Sequence, residues 1–263
     1  MGKGYEVNVT NLKFAPPKGN EKGILRDVTF KINSGAFVSF IGRNGHGKTS
    51  VFKAILGELK HTNGTIEVGH TTINKPIHDL CEGVGVVHQY VQDDLIPELT
   101  ILKNIQIRQA NSKVGEVRKY SLRDDWAQSI NAKLADFLKA KDFTPTNDQL
   151  VENLSGGQRQ LLNVLTSIEF EHSSETGCKL LLLDEHLTSL DKAIQKKVME
   201  LISKIIEADD GNKPTILMIT HDFEYALKYS DSIIVIYEGE VKERIEKNDT
   251  AKWNMNYLNS VIE

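Results

Sequence analysis

The octet Gly42-Arg43-Asn44-Gly45-His46-Gly47-Lys48-Thr49 decides how the rest of the chain is read. It fits G-x-x-x-x-G-K-[ST], and its flanks fit too: the apolar run 36–41 predicts a buried strand leading in, and residues 48–56 predict a helix leading out. Glycines let the backbone N–H groups of such a loop turn inward around a polyphosphate, and the amino end of the following helix favours its negative charge. Gly42, Arg43, Asn44, Gly45, His46, Gly47, Lys48, Thr49 and Ser50 are therefore candidate nucleotide contacts. Lys48 would reach the outer phosphates and the Thr49 hydroxyl would ligate Mg²⁺. The stretch implies an Mg²⁺-nucleotide site.

Around this loop the chain has ordinary globular proportions. Its 263 residues suffice for one large α/β domain or two small ones, with 40% apolar and 26% charged residues. A formal net charge of −4 gives no reason to expect nucleic acid as a partner. No apolar run approaches the roughly 18–20 residues that cross a bilayer, and the first residues start no signal-peptide core, so a cytosolic protein is expected. Cys81 and Cys178 lie far apart and in no C-x-x-C pattern, which predicts buried free thiols.

Residues 6–14, 24–32 and 36–41 predict three strands before the first helix, so the amino-terminal part reads as antiparallel or mixed. Asn63-Gly64 is a tight-turn signal before a short strand at 65–68, and 84–87 is another apolar strand. Between 95 and 168 the character changes. Helices are expected at 100–110 and 126–143, which suggests an inserted helical subdomain ending in a helix from Gly156 that has Ser155 at its amino end. Buried strands at 179–183 and 215–219, separated by an amphipathic helix, imply a mainly parallel sheet. Residues 232–245 read as a hairpin about Glu238-Gly239, and the tail to Glu263 as partly helical.

Three further polar clusters end apolar strands: His88-Gln89, Asp184-Glu185 and Thr220-His221. In α/β sheets, ligand chemistry is built from such strand ends. Asp184 suits a Walker B aspartate that holds Mg²⁺, and Glu185 beside it is a candidate for polarising the attacking water.

Leu154-Ser155-Gly156-Gly157-Gln158 resembles the signature of ATP-binding cassette (ABC) proteins. The rest of that family's pattern follows in order: phosphate loop, Q-loop Gln89, signature, Walker B strand, D-loop Ser189-Leu190-Asp191 and H-loop His221. The resemblance implies an α/β fold, a P-loop NTPase core of ABC type with an antiparallel β subdomain and the helical insert at about 95–168, all in one domain over 5–263. It implies ATP and Mg²⁺ as cofactors, with Thr49, Asp184 and Gln89 at the metal and Lys48, Glu185 and His221 in catalysis. Phe14 would stack on adenine. Ser155, Gly156 and Gly157 would contact the γ-phosphate bound by an opposite protomer, so the chain would work as a homodimer or beside a second cassette.

Two positions depart from the family. His46 stands where a small residue is common, and either adds a contact or faces solvent. His186 follows Glu185 where proline is usual, and Leu183-Asp184-Glu185-His186 resembles a subgroup of bacterial importer ATPases. That subgroup implies an ATPase on the cytoplasmic membrane face, coupled to a permease and a solute-binding protein for small organic solutes. The competing reading, a soluble ABC ATPase acting on ribosomes or nucleic acid, usually comes with two cassettes in one chain or a long coiled coil, and this sequence has neither.

Overall fold

Burial patterns along the strands separate two kinds of sheet. The computed structural model describes residues 4–16, 23–88, 95–104, 107, 148–173, 178–185, 190–207 and 213–263. Its strands are β1 (Val7–Phe14), β2 (Leu25–Ile32), β3 (Phe37–Ile41), β4 (Asn63–Val68), β5 (Thr71–Thr72), β6 (Val84–Val87), β7 (Leu180–Asp184), β8 (Thr215–Ile219), β9 (Ser232–Tyr237) and β10 (Glu240–Glu246). The helices are α1 (Lys48–Ile55), α2 (Gly156–Ser173), α3 (Lys192–Glu207), α4 (Phe223–Tyr229) and α5 (Met255–Ile262). In β2, Leu25, Val28, Phe30 and Ile32 are buried while Asp27, Thr29 and Lys31 are exposed, the period-two signature of a sheet with one wet face. β3, β7 and β8 are buried at every position, as strands covered on both faces must be.

The strands form one sheet in the order β5-β4-β1-β2-β10-β9-β3-β8-β7-β6. β1 pairs antiparallel with β2 and β4, and β4 with β5, giving the expected antiparallel part. β9, β3, β8, β7 and β6 run parallel as successive neighbours, and β10 returns antiparallel to β9. Side chains of the parallel strands divide between two cores. Val38, Phe40, Leu180, Leu182, Leu217 and Ile219 face α1, whose Val51, Phe52 and Ile55 meet them. Phe37, Leu181, Leu183, Ile216 and Met218 face the opposite way, onto Leu161, Leu165, Val198 and Ile202 of α2 and α3. Phe40 packs edge-on against both Phe30 and Phe52, with ring centroids 5.4 Å apart in each pair. Each such contact adds about 0.5–1.5 kcal/mol beyond area burial.

Sequence and structure differ in places. Asn63-Gly64 does not form a hairpin turn: both residues open β4, with Asn63 opposite Lys13 across an irregularity in β1. There Asn11 adopts φ +48°, and β1 comes so close that a Cβ on Gly64 would lie 2.5 Å from the Asn11 carbonyl oxygen. The glycine serves a close strand crossing rather than a turn. Residues 101–104 are helical as expected, but the expected helix at 126–143 and most of the insert lie outside the described residues. Cys81 and Cys178 are buried, and neither is in a disulfide. Among the described residues, no helix is long and apolar enough to cross a membrane.

The hairpin about Glu238-Gly239 forms as predicted, with φ +46° and +80° at its two central residues, the pattern of a type I′ turn. Its tip abuts β2: a Cβ on Gly239 would lie 2.2 Å from the Ile24 carbonyl oxygen. Gly239→Ala is therefore expected to cost about 2–3 kcal/mol of folding stability, lowering Tm by about 4–12 °C in a chain of this size. Thermal and urea unfolding would measure it; an unchanged Tm would contradict the packing described.

Candidate nucleotide site

Parallel pairing brings the polar clusters to one edge of the sheet. In register, Phe40 lies opposite Ile219, Ile219 opposite Asp184, and Leu183 opposite Val87. The phosphate loop, Thr220-His221, Asp184-Glu185 and His88 thus leave the carboxyl ends of four adjacent strands together. Gln89, the remaining member of that row, lies outside the described residues, as do His186 and Ser189.

The loop wraps its own lysine. Lys48 is 4% exposed, and its Nζ donates to the carbonyls of Gly42 at 2.8 Å and Arg43 at 3.0 Å. Burial lowers the Lys48 pKa, opposed by the nearby carboxylates of Glu185 and Asp184. Gly47, at φ +103°, precedes α1 and accepts from Val51 N at 2.9 Å, so the first helical N–H groups open toward the loop. Arg43, Asn44 and Gly45 are exposed, whereas Thr49 and Ser50 are half-buried in the first turn of α1.

Asp184 is 7% exposed, and its Oδ1 has no hydrogen-bond partner among the described residues. Burial and then the Glu185 charge push its carboxyl up to about 6, while a hydrogen bond from Thr49 and the proximity of His88 and Lys48 act the other way. A buried carboxylate oxygen left unpaired is costly. A hard divalent cation between Asp184 and the Thr49 hydroxyl suits that donor set, and in this respect the residues fit Mg²⁺. Glu185 holds φ +45°, an unfavourable backbone for a non-glycine residue, and its N–H donates to the Ile219 carbonyl at 3.1 Å. This aims its side chain at His221, whose Nε2 lies 2.9 Å from Oε1. His221 is not the cap of the helix that follows it: Asp222 caps α4 by accepting from Tyr225 N at 3.1 Å. A cleft of about 510 Å³ that includes Glu185 and His221, but none of the phosphate loop, opens beside the pair.

Other expected residues belong to elements outside these four strand ends. Ser155 precedes α2, which is fastened to β6 by a hydrogen bond from Ser167 Oγ to the Val86 carbonyl at 3.0 Å. Gly157 approaches Leu190, and nothing lies within 4 Å of where a Gly156 Cβ would stand. Phe14 is half-buried, pairs with Leu25 at the end of β1, and packs against the core; Leu25 in turn touches Gly47.

Two residues were not foreseen in these roles. Gln158 Oε1 accepts from Ser155 N at 2.8 Å while Ser155 Oγ accepts from Gln158 N at 3.2 Å. This is a capping box, and the spacing Ser-x-x-Gln in the sequence carried the signal. His46 Nδ1 accepts from Glu238 N at 3.2 Å, a contact between residues 192 apart in sequence.

Comparison with known proteins agrees with this geometry. A family model described as "ABC transporter" matches residues 25–188. A tyrosine transport ATP-binding protein of Clostridioides difficile is 32% identical over 95% of this chain and 94% of its own length. An energy-coupling factor transporter ATP-binding protein of Acetivibrio thermocellus is 28% identical over 90% of this chain and 78% of its own. The fold matches the dimeric, ADP- and phosphate-bound ATP-binding cassette MJ0796 with a TM-score of 0.74 at 23% identity, covering 92% of this chain and 98% of that one. With the phosphate loop, the buried aspartate and the ordered strand ends already in place, the chain belongs to the ABC transporter family, as one of its ATP-binding, ATP-hydrolysing cassettes.

Proposed function

We propose that this chain is the energy-coupling ATPase of a solute importer, held at the cytoplasmic membrane face by a separate permease and working as a homodimer. One observation carries the reading: Lys48, Asp184, Glu185 and His221 converge at one sheet edge, while Ser155 heads α2, which packs on the face of the sheet opposite α1. A protomer therefore supplies two unlike half-sites. Two copies facing each other would set each Ser155-Gly156-Gly157 against the other's phosphate loop, closing on two ATP molecules. The one domain over 5–263 would carry the insert at 95–168 as the surface that meets the permease. Similarity to a tyrosine transport ATP-binding protein supports an amino-acid-sized organic solute as the cargo, which a solute-binding protein would deliver. The Leu183-Asp184-Glu185-His186 run supports the same subgroup.

In the mechanism, Phe14 stacks on adenine and the loop 42–50 holds the phosphates with backbone N–H groups. Thr49, Asp184 and Gln89 would hold Mg²⁺, which neutralises phosphate charge when bound. Lys48 lies within the field of both carboxylates and draws developing negative charge at the leaving oxygen. Glu185 orients a water in line with the γ-phosphate and takes its proton as the new O–P bond forms and the bond to ADP breaks. His221 gives its Nε2 hydrogen to Glu185 and so fixes that carboxylate beside the γ-phosphate. Closure of the dimer on ATP and its reopening after hydrolysis would move the permease gate.

Glu185→Gln should retain ATP binding, reduce turnover by about 10²-fold or more, and accumulate as an ATP-bound dimer in size-exclusion chromatography with light scattering. Unchanged turnover would remove Glu185 from the chemistry. In Lys48→Ala the loss should fall on nucleotide affinity, measured by calorimetric titration, and wild-type affinity there would contradict the phosphate-loop assignment. Asp184→Asn removes the charge but keeps the shape, so its turnover should require much higher Mg²⁺ concentrations than the wild type; an unaltered Mg²⁺ dependence would take Asp184 out of the metal site.

A further inference from the structure

We infer that His46 is a positioning residue: its Nδ1, accepting the Glu238 N–H, fastens the phosphate loop to the tip of the β9–β10 hairpin and holds that loop in its nucleotide-receiving shape. The inference rests on the phosphate-loop reading above and adds to it a residue with a defined task.

Two successive N–H groups at the hairpin tip end on this one residue. Glu238 N donates to the His46 ring at 3.2 Å, and Gly239 N donates to the His46 carbonyl at 3.0 Å. The ring also stands edge-on to Tyr237, with centroids 4.9 Å apart and planes at 79°. The tip is itself anchored to β2, where Arg26 N donates to the Gly239 carbonyl at 2.9 Å and the Arg26 guanidinium meets Glu238 at 3.0 Å. His46 thus ties the loop to a hairpin already locked against the sheet. Within the loop, the exposed stretch Arg43-Asn44-Gly45 is held at its Arg43 end, where the carbonyl accepts from Lys48 Nζ at 3.0 Å and from His46 N at 3.4 Å. A small residue in place of His46 would keep the carbonyl contact but lose the ring's hydrogen bond and its packing. The loop would then be ordered at the expense of nucleotide binding, since ordering a segment on binding subtracts from affinity.

A backbone N–H can only donate, so the Nδ1 that receives it is bare and the ring is neutral, with its proton on Nε2. The charged and titratable groups around the ring are Arg43 and Lys48 of the loop, Tyr237 and Glu238 of the hairpin tip, Lys242 over the Tyr237 ring, and Arg26 paired with Glu238. Burial first, then Arg43 and Lys48, hold the ring's pKa below its ordinary value, with Glu238 opposing. The fastening is therefore complete at neutral pH. It is lost as pH falls through that depressed pKa, when a proton on Nδ1 displaces the Glu238 N–H.

The test is ADP binding in EDTA, which keeps the metal site out of the measurement, for the wild type, His46→Ala and His46→Asn. The asparagine carbonyl offers an acceptor near the position of Nδ1. His46→Ala should weaken ADP binding about three- to tenfold, as expected for one lost hydrogen bond, and His46→Asn should restore most of it. In turnover, the loss should fall on KM more than on kcat. As the pH is lowered from neutral through and below the ordinary histidine range, the affinity of the wild type should fall relative to that of His46→Asn. If His46→Ala fails to fold, the pH comparison of the other two proteins still decides. Equal affinity in all three proteins at every pH overturns the inference. A wild-type affinity that rises on acidification relative to His46→Asn overturns it too, because the charged ring would then be binding phosphate directly. If the wild type binds no ADP, the phosphate-loop reading itself falls.

Discussion

The parallel register of β3, β8 and β7 is the constraint on which the site depends. Ile219 is paired with Phe40 on one side and with Asp184 on the other, so the strand ends emerge level. A slip of one residue in β7 would turn Asp184 onto the opposite face and carry Leu181 and Leu183 out of their core. That core resists the slip. Leu180 and Leu182 are fixed against the α1 side, while Leu181 and Leu183 are fixed against α2 and α3. Hydrophobic alternation on both faces of the sheet thus places a carboxylate to within a residue, and the chemistry inherits its precision from apolar packing.

The electrostatic arrangement follows from that placement. Asp184 and Glu185 are adjacent carboxylates, one of them almost fully buried, and burial, with their mutual repulsion added, drives Asp184 up to about 6. Lys48 lies near enough to both to feel their charge, yet its hydrogen bonds run to loop carbonyls rather than to either carboxylate. The positive charge is held by the loop itself, close to the acids without neutralising them in a tight pair. An excess of negative potential, with a buried oxygen unpaired among the described residues, suits a divalent cation. The backbone at Glu185, strained at φ +45°, is explained by the same need: its side chain must leave the strand toward His221.

Much of this was legible in the sequence because it is local. The all-apolar runs of β3, β7 and β8, the octet between β3 and α1, and the polar pairs that end the strands are each contained within about ten residues. Their burial at every position bears out the parallel reading. The hairpin at Glu238-Gly239 was equally legible, since a type I′ turn needs residues tolerant of positive φ. Asn63-Gly64 carried the same kind of signal and meant something else. There the glycine admits a neighbouring strand, and no local pattern distinguishes that from a turn. Ser155 and Gln158 form a capping box that their spacing announced. The partnership of His46 with Glu238 could not be read, because it joins positions 192 residues apart through a backbone N–H that has no residue type.

Division of the site between two copies is the central claim, and mixing two defective proteins tests it most directly. Lys48→Ala spoils the phosphate-loop half and Ser155→Ala the signature half. If each ATP is held between two chains, a mixed dimer contains one doubly damaged site and one intact site. Titrating one variant into the other under conditions of dimer exchange should then raise ATPase activity well above that of either alone, toward about a quarter of wild type when equal amounts pair at random and the sites act independently. Activity that stays at the average of the two separate variants at every ratio would mean that each chain completes its own site, and would contradict the shared one.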